Sequence, residues 1–182
     1  MNEDGRMARL NDLIRFSKRH NIKIASIADL IAYRLKNEKL VFKILNKKIV
    51  FKKKPNLLLS VYRNKLNYFE SFVFSKGKFS SNKAVPVRVL AKKISKINLL
   101  SNKEVRKNIK ILSKYKNFIL VIINNKIHNK NKNDTNFTLR YYGIGAQIIK
   151  DLKIRNMILH SRTKKKIIGL EGFGLKIKKQ VM

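Results

Sequence analysis

Six consecutive apolar residues, Phe118-Ile119-Leu120-Val121-Ile122-Ile123, constrain this chain more than any other stretch. Successive side chains of a strand point to opposite faces, so a run without alternation must be covered on both sides. The flanking sequence offers one cover. Ser101 with Glu104 three residues on reads as a capping box ahead of Val105, Ile109 and Leu112, predicting a helix that feeds the strand.

The surrounding pattern predicts an α/β fold. Leu10, Leu13, Ile14 and Phe16 lie close to helical spacing within Ala8–His20, with Asn21 as the stop, and Ile22 and Ile24 alternate as in a short strand. Ser26 and Asp29 form a variant capping box opening a second helix, SIADLIAYRLKN. From Leu40 to Ala91 five β-rich runs follow, LVFKIL, KIVFK, LLLSVYR, YFESFVF and VPVRVLA, parted by Lys/Asn or Gly77 turn signals. Asn124 to Asn136 is polar and featureless and reads as a flexible loop. A helix is expected over Ile144–Leu152, a strand over Met157–His160, a turn-rich connection over Gly169–Gly174 and a last strand over Leu175–Ile177.

Charge suggests a partner before any motif does. The chain has 44 Lys+Arg against 10 Asp+Glu, a formal charge of +34, as for proteins that bind nucleic acid or anionic membranes. Lysine far outnumbers arginine, however, and asparagine and isoleucine are abundant throughout, as an AT-rich coding sequence produces without selection for binding. The lysines are spread over nearly every element, and no stretch reaches membrane-spanning length. Cysteine is absent, which removes disulfides, thiolate nucleophiles and cysteine metal sites. The polar, acidic start MNEDGRMARL lacks the form of a signal peptide, so the expected location is cytoplasmic, without membrane or nucleic-acid partners.

Two separate strips resemble one family in the right order. MNEDGRMARLNDLIRFSKRHNIKIASIADLIAYR is similar to the end of 3,4-dihydroxy-2-butanone 4-phosphate synthase, with Arg6 where threonine is usual. LRYYGIGAQIIKDL through GLEGFGLKI is similar to GTP cyclohydrolase II. The pair resembles the C-terminal portion of the bifunctional riboflavin-biosynthesis family, of the type whose cyclohydrolase half lacks the zinc cysteines. The resemblance implies two parts. Residues 1–38 would close a synthase domain as a helix-strand-helix remnant, and residues 39–182 would form a degenerate GTP cyclohydrolase II-like domain with a mixed sheet and flanking helices.

The resemblance also implies what each half needs. The synthase works with magnesium on residues upstream of this chain, so Glu3 and Asp4 are not expected to be ligands. The cyclohydrolase holds zinc on three cysteines, where this chain reads VRVLAKKISKINLLSNKEV, and His20, His128 and His160 lack ligand spacing. No cofactor is therefore expected here. The family's Arg-Gln-Glu-Gly-Arg-Gly motif is replaced by IINNKIHNK, and its acid-base aspartate by Thr138, leaving Arg140 as the carried-over nucleophile. Ser161 and Lys166 match the nucleotide-binding threonine and lysine, so residual nucleotide or phosphate binding is the expectation.

Each of these has a plain structural reading beside it. Arg140 serves equally as a structural arginine, and His160 as a histidine at the core edge. Gly143 and Gly145 could make a phosphate turn or a packed helix entry. Gly169, Gly172 and Gly174 could cradle a ligand or permit a turn. The runs at Lys52–Lys54 and Lys164–Lys166 could hold phosphate or form solvated faces.

The expected function is a riboflavin-biosynthesis module without cyclohydrolase activity and, alone, without synthase activity. It would act as a homodimer or with a separately encoded synthase portion. The alternatives are a basic nucleic-acid-binding protein, with Tyr62, Tyr68 and Phe69 placed to stack on bases, or a residual GTP cyclohydrolase II.

Overall fold

The computed structural model describes residues 5–51, 54–65, 68–80, 82–124, 135–162 and 170–182, and every structural statement concerns these residues. Two helices, α1 (Leu10–His20) and α2 (Ile27–Asn37), precede an antiparallel meander of β1 (Val41–Phe51), β2 (Lys54–Asn64) and β3 (Glu70–Lys76). Then β4 (Val85–Ala91), α3 (Lys103–Leu112), β5 (Phe118–Ile123), α4 (Thr135–Asp151), β6 (Asn156–His160), a 3-10 turn at Leu170–Phe173 and β7 (Lys176–Val181) complete the chain. They form one seven-stranded mixed sheet in the order β1-β2-β3-β5-β4-β6-β7. Strands β5, β4, β6 and β7 run parallel, and β3 joins β5 antiparallel.

The apolar run is the fully buried strand β5, covered on both faces as its lack of alternation demands. Ile119, Val121 and Ile123 pack with Ile148 and Ile149 of α4 in one core. Phe118, Leu120 and Ile122 pack with Val105, Ile109 and Leu112 of α3 in the other. The chain leaves β4 through α3 to one neighbour and leaves β5 through α4 to the other, so the helices fall on opposite faces, as right-handed crossovers require.

Several boundaries differ from expectation. LVFKIL and KIVFK are one strand, because Asn46 accepts a 2.8 Å hydrogen bond from the Ser60 hydroxyl and the ladder to β2 continues through Lys47 and Lys48. Register shifts flank that junction, one between Lys43 and Leu45 and one between Ile49 and Phe51. Helix α3 is capped by Asn102, whose Oδ1 accepts from Glu104 N and Val105 N at 3.1 and 3.3 Å, and not by Ser101, whose hydroxyl donates to Asn98 O. Helix α4 begins at Thr135, nine residues before the expected start, so Gly143 and Gly145 lie inside it. Its buried stretch from Gly145 to Ile149 carries the helix back through weak helix formers, since propensity yields to packing. Residues 125–134 of the expected loop lie outside the described residues. The last strand extends to Val181, beyond the expected end at Ile177.

At the N-terminus both helices form. Asn21 ends α1 in the left-handed conformation at φ 52°, and Asp29 N donates to Ser26 Oγ at 3.0 Å. Ile22 and Ile24 join no ladder among the described residues, since no strand lies beside them to accept their backbone groups. Helix α2 packs along α4. At the connector the Gln147 amide donates to Glu38 O at 2.8 Å and accepts from Leu40 N at 3.0 Å.

Candidate functional site

Topology marks one place for a ligand. The chain reverses direction across the sheet at β4, and in open parallel sheets ligands sit outside the carboxyl ends of the strands at that reversal. Here that place is the carboxyl ends of β4 and β6, whose pairing stops at Arg88 and His160, beside the start of α3. Arg88 of β4 stands opposite His160 of β6 in register, and Lys92 and Arg162 follow the two strands.

Glu104, in the first turn of α3, organises these groups. Lys92 Nζ lies 2.6 Å from its Oε2 and an Arg162 guanidinium nitrogen 2.8 Å from its Oε1. The Lys92 hydrogen bond holds the Glu104 carboxyl below its usual range against the opposing pull of burial, with help from the charges of Lys92, Arg162 and Arg88. Burial lowers the Arg88 guanidinium, and Arg162 adds to it while Glu104 opposes. Burial also lowers His160, and Arg88 adds to that. Arg88 Nε and His160 Nε2 are buried without a hydrogen-bond partner among the described residues, and Tyr115 meets the His160 ring edge-on at 5.3 Å between centroids. His160 is the core-edge histidine of the plain reading.

The segment after β4 is tied to the end of β5 by backbone-to-side-chain hydrogen bonds. Asn124, at the end of β5, accepts from Ile94 N at 3.3 Å and donates to Ile94 O at 2.9 Å. No three His, Asp or Glu side chains among the described residues gather as a ligand set. Both oxygens of Glu104 are taken by cations, and a dication there would face Arg88, Lys92 and Arg162. The residues present do not fit zinc. Three cations around one carboxylate instead favour an anion.

Of the residues singled out from sequence, Ser161 directly follows β6 at this edge, with its backbone N–H on Val181 O at 3.0 Å. Arg140 lies in the first part of α4, which starts from the same edge, and its side chain is outside the described residues. Lys166, Gly169 and the Lys164–Lys166 run are outside them as well. Gly174 takes φ 73°, so the turn reading holds there. Sequence reasoning missed Arg88, Lys92, Glu104, Tyr115 and Arg162. A wide depression of about 880 Å³ opens at the other end of the sheet beside Lys150, Lys153, Arg155 and Lys176, a solvated basic face rather than a built site.

Comparison with known proteins agrees with the fold. Residues 97–182 match the family model of GTP cyclohydrolase II. The whole chain aligns with the riboflavin biosynthesis protein RibBA of Aquifex aeolicus at 33% identity over 214 residues, which is 51% of that protein. It aligns with the 3,4-dihydroxy-2-butanone 4-phosphate synthase of Photobacterium phosphoreum at 31% identity over 194 residues, 97% of this chain and 53% of that protein. The crystal structure of RibBX, a two domain 3,4-dihydroxy-2-butanone 4-phosphate synthase from A. baumannii, superposes on all of this chain and 52% of its own with a TM-score of 0.74, at 28% identity. The chain spans about half the length of these relatives.

Proposed function

We propose a function from one premise: the chain belongs to the 3,4-dihydroxy-2-butanone 4-phosphate synthase/GTP cyclohydrolase II family of riboflavin biosynthesis and corresponds to its C-terminal portion. It is the accessory half of a synthase, with the cyclohydrolase fold kept and the cyclohydrolase reaction lost. Residues 1–38 complete the synthase side and residues 39–182 form the inactive cyclohydrolase-like side. The protein takes no zinc, and any remaining affinity of the β4–β6 strand ends is for a phosphate-bearing anion.

The observation that carries this reading is the Lys92–Glu104 pair, inside the stretch that the resemblance sets against the family's zinc-binding segment, with Arg162 on the same carboxylate. Opening a guanine imidazole ring needs a Lewis acid to activate water. This chain offers no thiolate, and its carboxylate is already bound by two cations. Relatives such as RibBX and the Photobacterium phosphoreum protein are named for the synthase alone, which supports the same division of labour.

Genetic complementation tests it. Expressed in a bacterium made riboflavin-dependent by loss of GTP cyclohydrolase II, the chain leaves growth dependent on added riboflavin. Growth without riboflavin would overturn the reading.

A further inference from the structure

The end of the sheet away from the Glu104 clamp gathers positive charge that nothing in the fold uses. Across it, in the order β3-β5-β4-β6-β7, stand exposed Lys78 after β3, Lys116 before β5, Lys83 before β4, Arg155 before β6 and Lys176 at the start of β7. Every strand contributes, so four strand spacings carry a row of cations about 19 Å long. None of these side chains is in an ion pair among the described residues. Asp151, the carboxylate beside Lys150 in the chain, is turned to Tyr62, Lys39 and Lys43. Glu70 and Glu104 lie at the opposite end, since β3 runs against β5 and α3 follows the carboxyl end of β4.

The backbone fixes this row. Lys176 N donates to Arg155 O at 2.7 Å, and Asn117 Nδ2 donates to Lys78 O at 2.7 Å, so neighbouring strand ends are tied together. Lys153, in the turn before β6, takes φ 60°, a left-handed conformation that glycine or asparagine enters more readily. A coding bias that supplies lysine supplies asparagine as well, so bias alone does not choose lysine there. Toward β6 and β7 the row borders the depression of about 880 Å³, where Lys150 and the half-buried Phe173 join it. Its charged lining is all exposed, which suits a chain lying across it better than one small ligand held in a fixed pose.

We propose that this end of the sheet is a binding face for single-stranded nucleic acid, held through its phosphates and without regard to sequence. A single row of cations matches one strand of phosphates, whereas a duplex presents two strands and a membrane a plane. None of the large exposed hydrophobic side chains lies in the row, so it has nothing to insert into a bilayer. A basic groove with an aromatic ring beside it is how sequence-tolerant proteins hold single strands. The face is not where the sequence places its stacking aromatics: Tyr62 is fully buried. The proposal stands apart from the loss of cyclohydrolase chemistry, which growth reads.

Fluorescence anisotropy tests it, with an oligouridine and an oligodeoxythymidine of about 12 nucleotides as probes, over about 50 to 200 mM salt. The set Lys150→Gln/Lys153→Asn/Arg155→Gln/Lys176→Gln is compared with Lys47→Gln/Lys48→Gln/Lys103→Gln/Lys107→Gln, which removes the same charge from β1 and α3. All eight side chains are exposed, so circular dichroism is expected to stay that of the parent. The first set is expected to weaken binding at least about tenfold and to flatten the slope of log affinity against log salt by about 3, since each phosphate contact on a single strand contributes about 0.7. The second is expected to change affinity by less than about threefold. Binding of either probe with this pattern supports the face, and the tighter one names the nucleic acid. Equal losses in the two sets would overturn it by making the attraction a property of total charge. So would a parent chain that binds neither probe at the lowest salt, tighter binding to the duplex than to its single strands, or a larger loss on phosphatidylserine vesicles, which would make the occupant a membrane.

Discussion

With ten carboxylates among 44 cations, each carboxylate is scarce, and two of them hold the structure's main polar clusters. Glu104 joins Lys92 and Arg162, while Asp151 accepts a 2.8 Å hydrogen bond from the Tyr62 hydroxyl and lies 3.4 and 3.6 Å from Lys39 and Lys43. Burial pulls Asp151 upward, but Tyr62, Lys39 and Lys43 outweigh it and hold its carboxyl below the usual range. Glu104 and His160 are also lowered. In all three the unfolded chain binds the proton more readily, so their contribution is present above the ordinary values, about 4 for carboxylates and about 6.5 for histidine, and is lost as pH falls. Tyr62 is raised, by burial first and then by the bond to Asp151. Its contribution is complete below about pH 10 and is lost as pH rises beyond. Urea unfolding against pH therefore shows stability falling on both sides. Glu104→Gln lowers it by about 1 kcal/mol at neutral pH, since these pairs are partly screened by solvent, and flattens the acid limb. Tyr62→Phe costs about 1 kcal/mol and removes the alkaline limb. An unchanged pH profile in both variants would contradict this assignment. These clusters were hidden in the sequence because their partners lie far apart along it, 58 residues for Glu104 and Arg162. Only the scarcity of acids pointed to them.

At the scale of elements, local chemistry was legible and long-range pairing was not. The apolar run of β5, the Ser26 box, the Asn21 stop and the turn at Gly77 all follow from side chains near their own backbone. The single strand β1 depends on Ser60 across the ladder, and the early start of α4 on a core assembled from distant strands. The strand expected at Ile22 and Ile24 has the right alternation, and alternation cannot supply a neighbour. Two glycines test the packing. Gly77 holds φ 84°, and a Cβ there would come 2.1 Å from Asn117 Oδ1, so Gly77→Ala is expected to cost about 1–2 kcal/mol. At Gly145 a Cβ would meet Ile123 Cδ1 at 3.3 Å, where α4 approaches β5 closely. Gly145→Ala is expected near neutral, because helix propensity offsets the crowding. Gly145→Leu is expected to lose about 1–3 kcal/mol by overpacking. Thermal melts of the three variants check the order, and a Gly77→Ala protein as stable as the parent would contradict it.

At the scale of the whole molecule, the α/β class and the family were legible from two strips of sequence, and the sheet carries them with helices on both faces. The candidate site was expected from the sequence mainly as a set of losses: no cysteine, Thr138 where the resemblance implies a carboxylate, and IINNKIHNK where it implies the guanine motif. What the fold adds is a clamp of Lys92, Glu104 and Arg162 at the carboxyl ends of β4 and β6. Such a clamp ties the end of β4, the start of α3 and the segment after β6 as a metal ion would, without activating water. The proposed loss of the cyclohydrolase reaction rests on that clamp. Its most direct measurement is formate released from GTP by the purified chain with zinc supplied at equimolar and tenfold excess. The prediction is release no faster than in the zinc and GTP blank. Zinc-dependent formate above the blank that disappears in Arg140→Ala would contradict it.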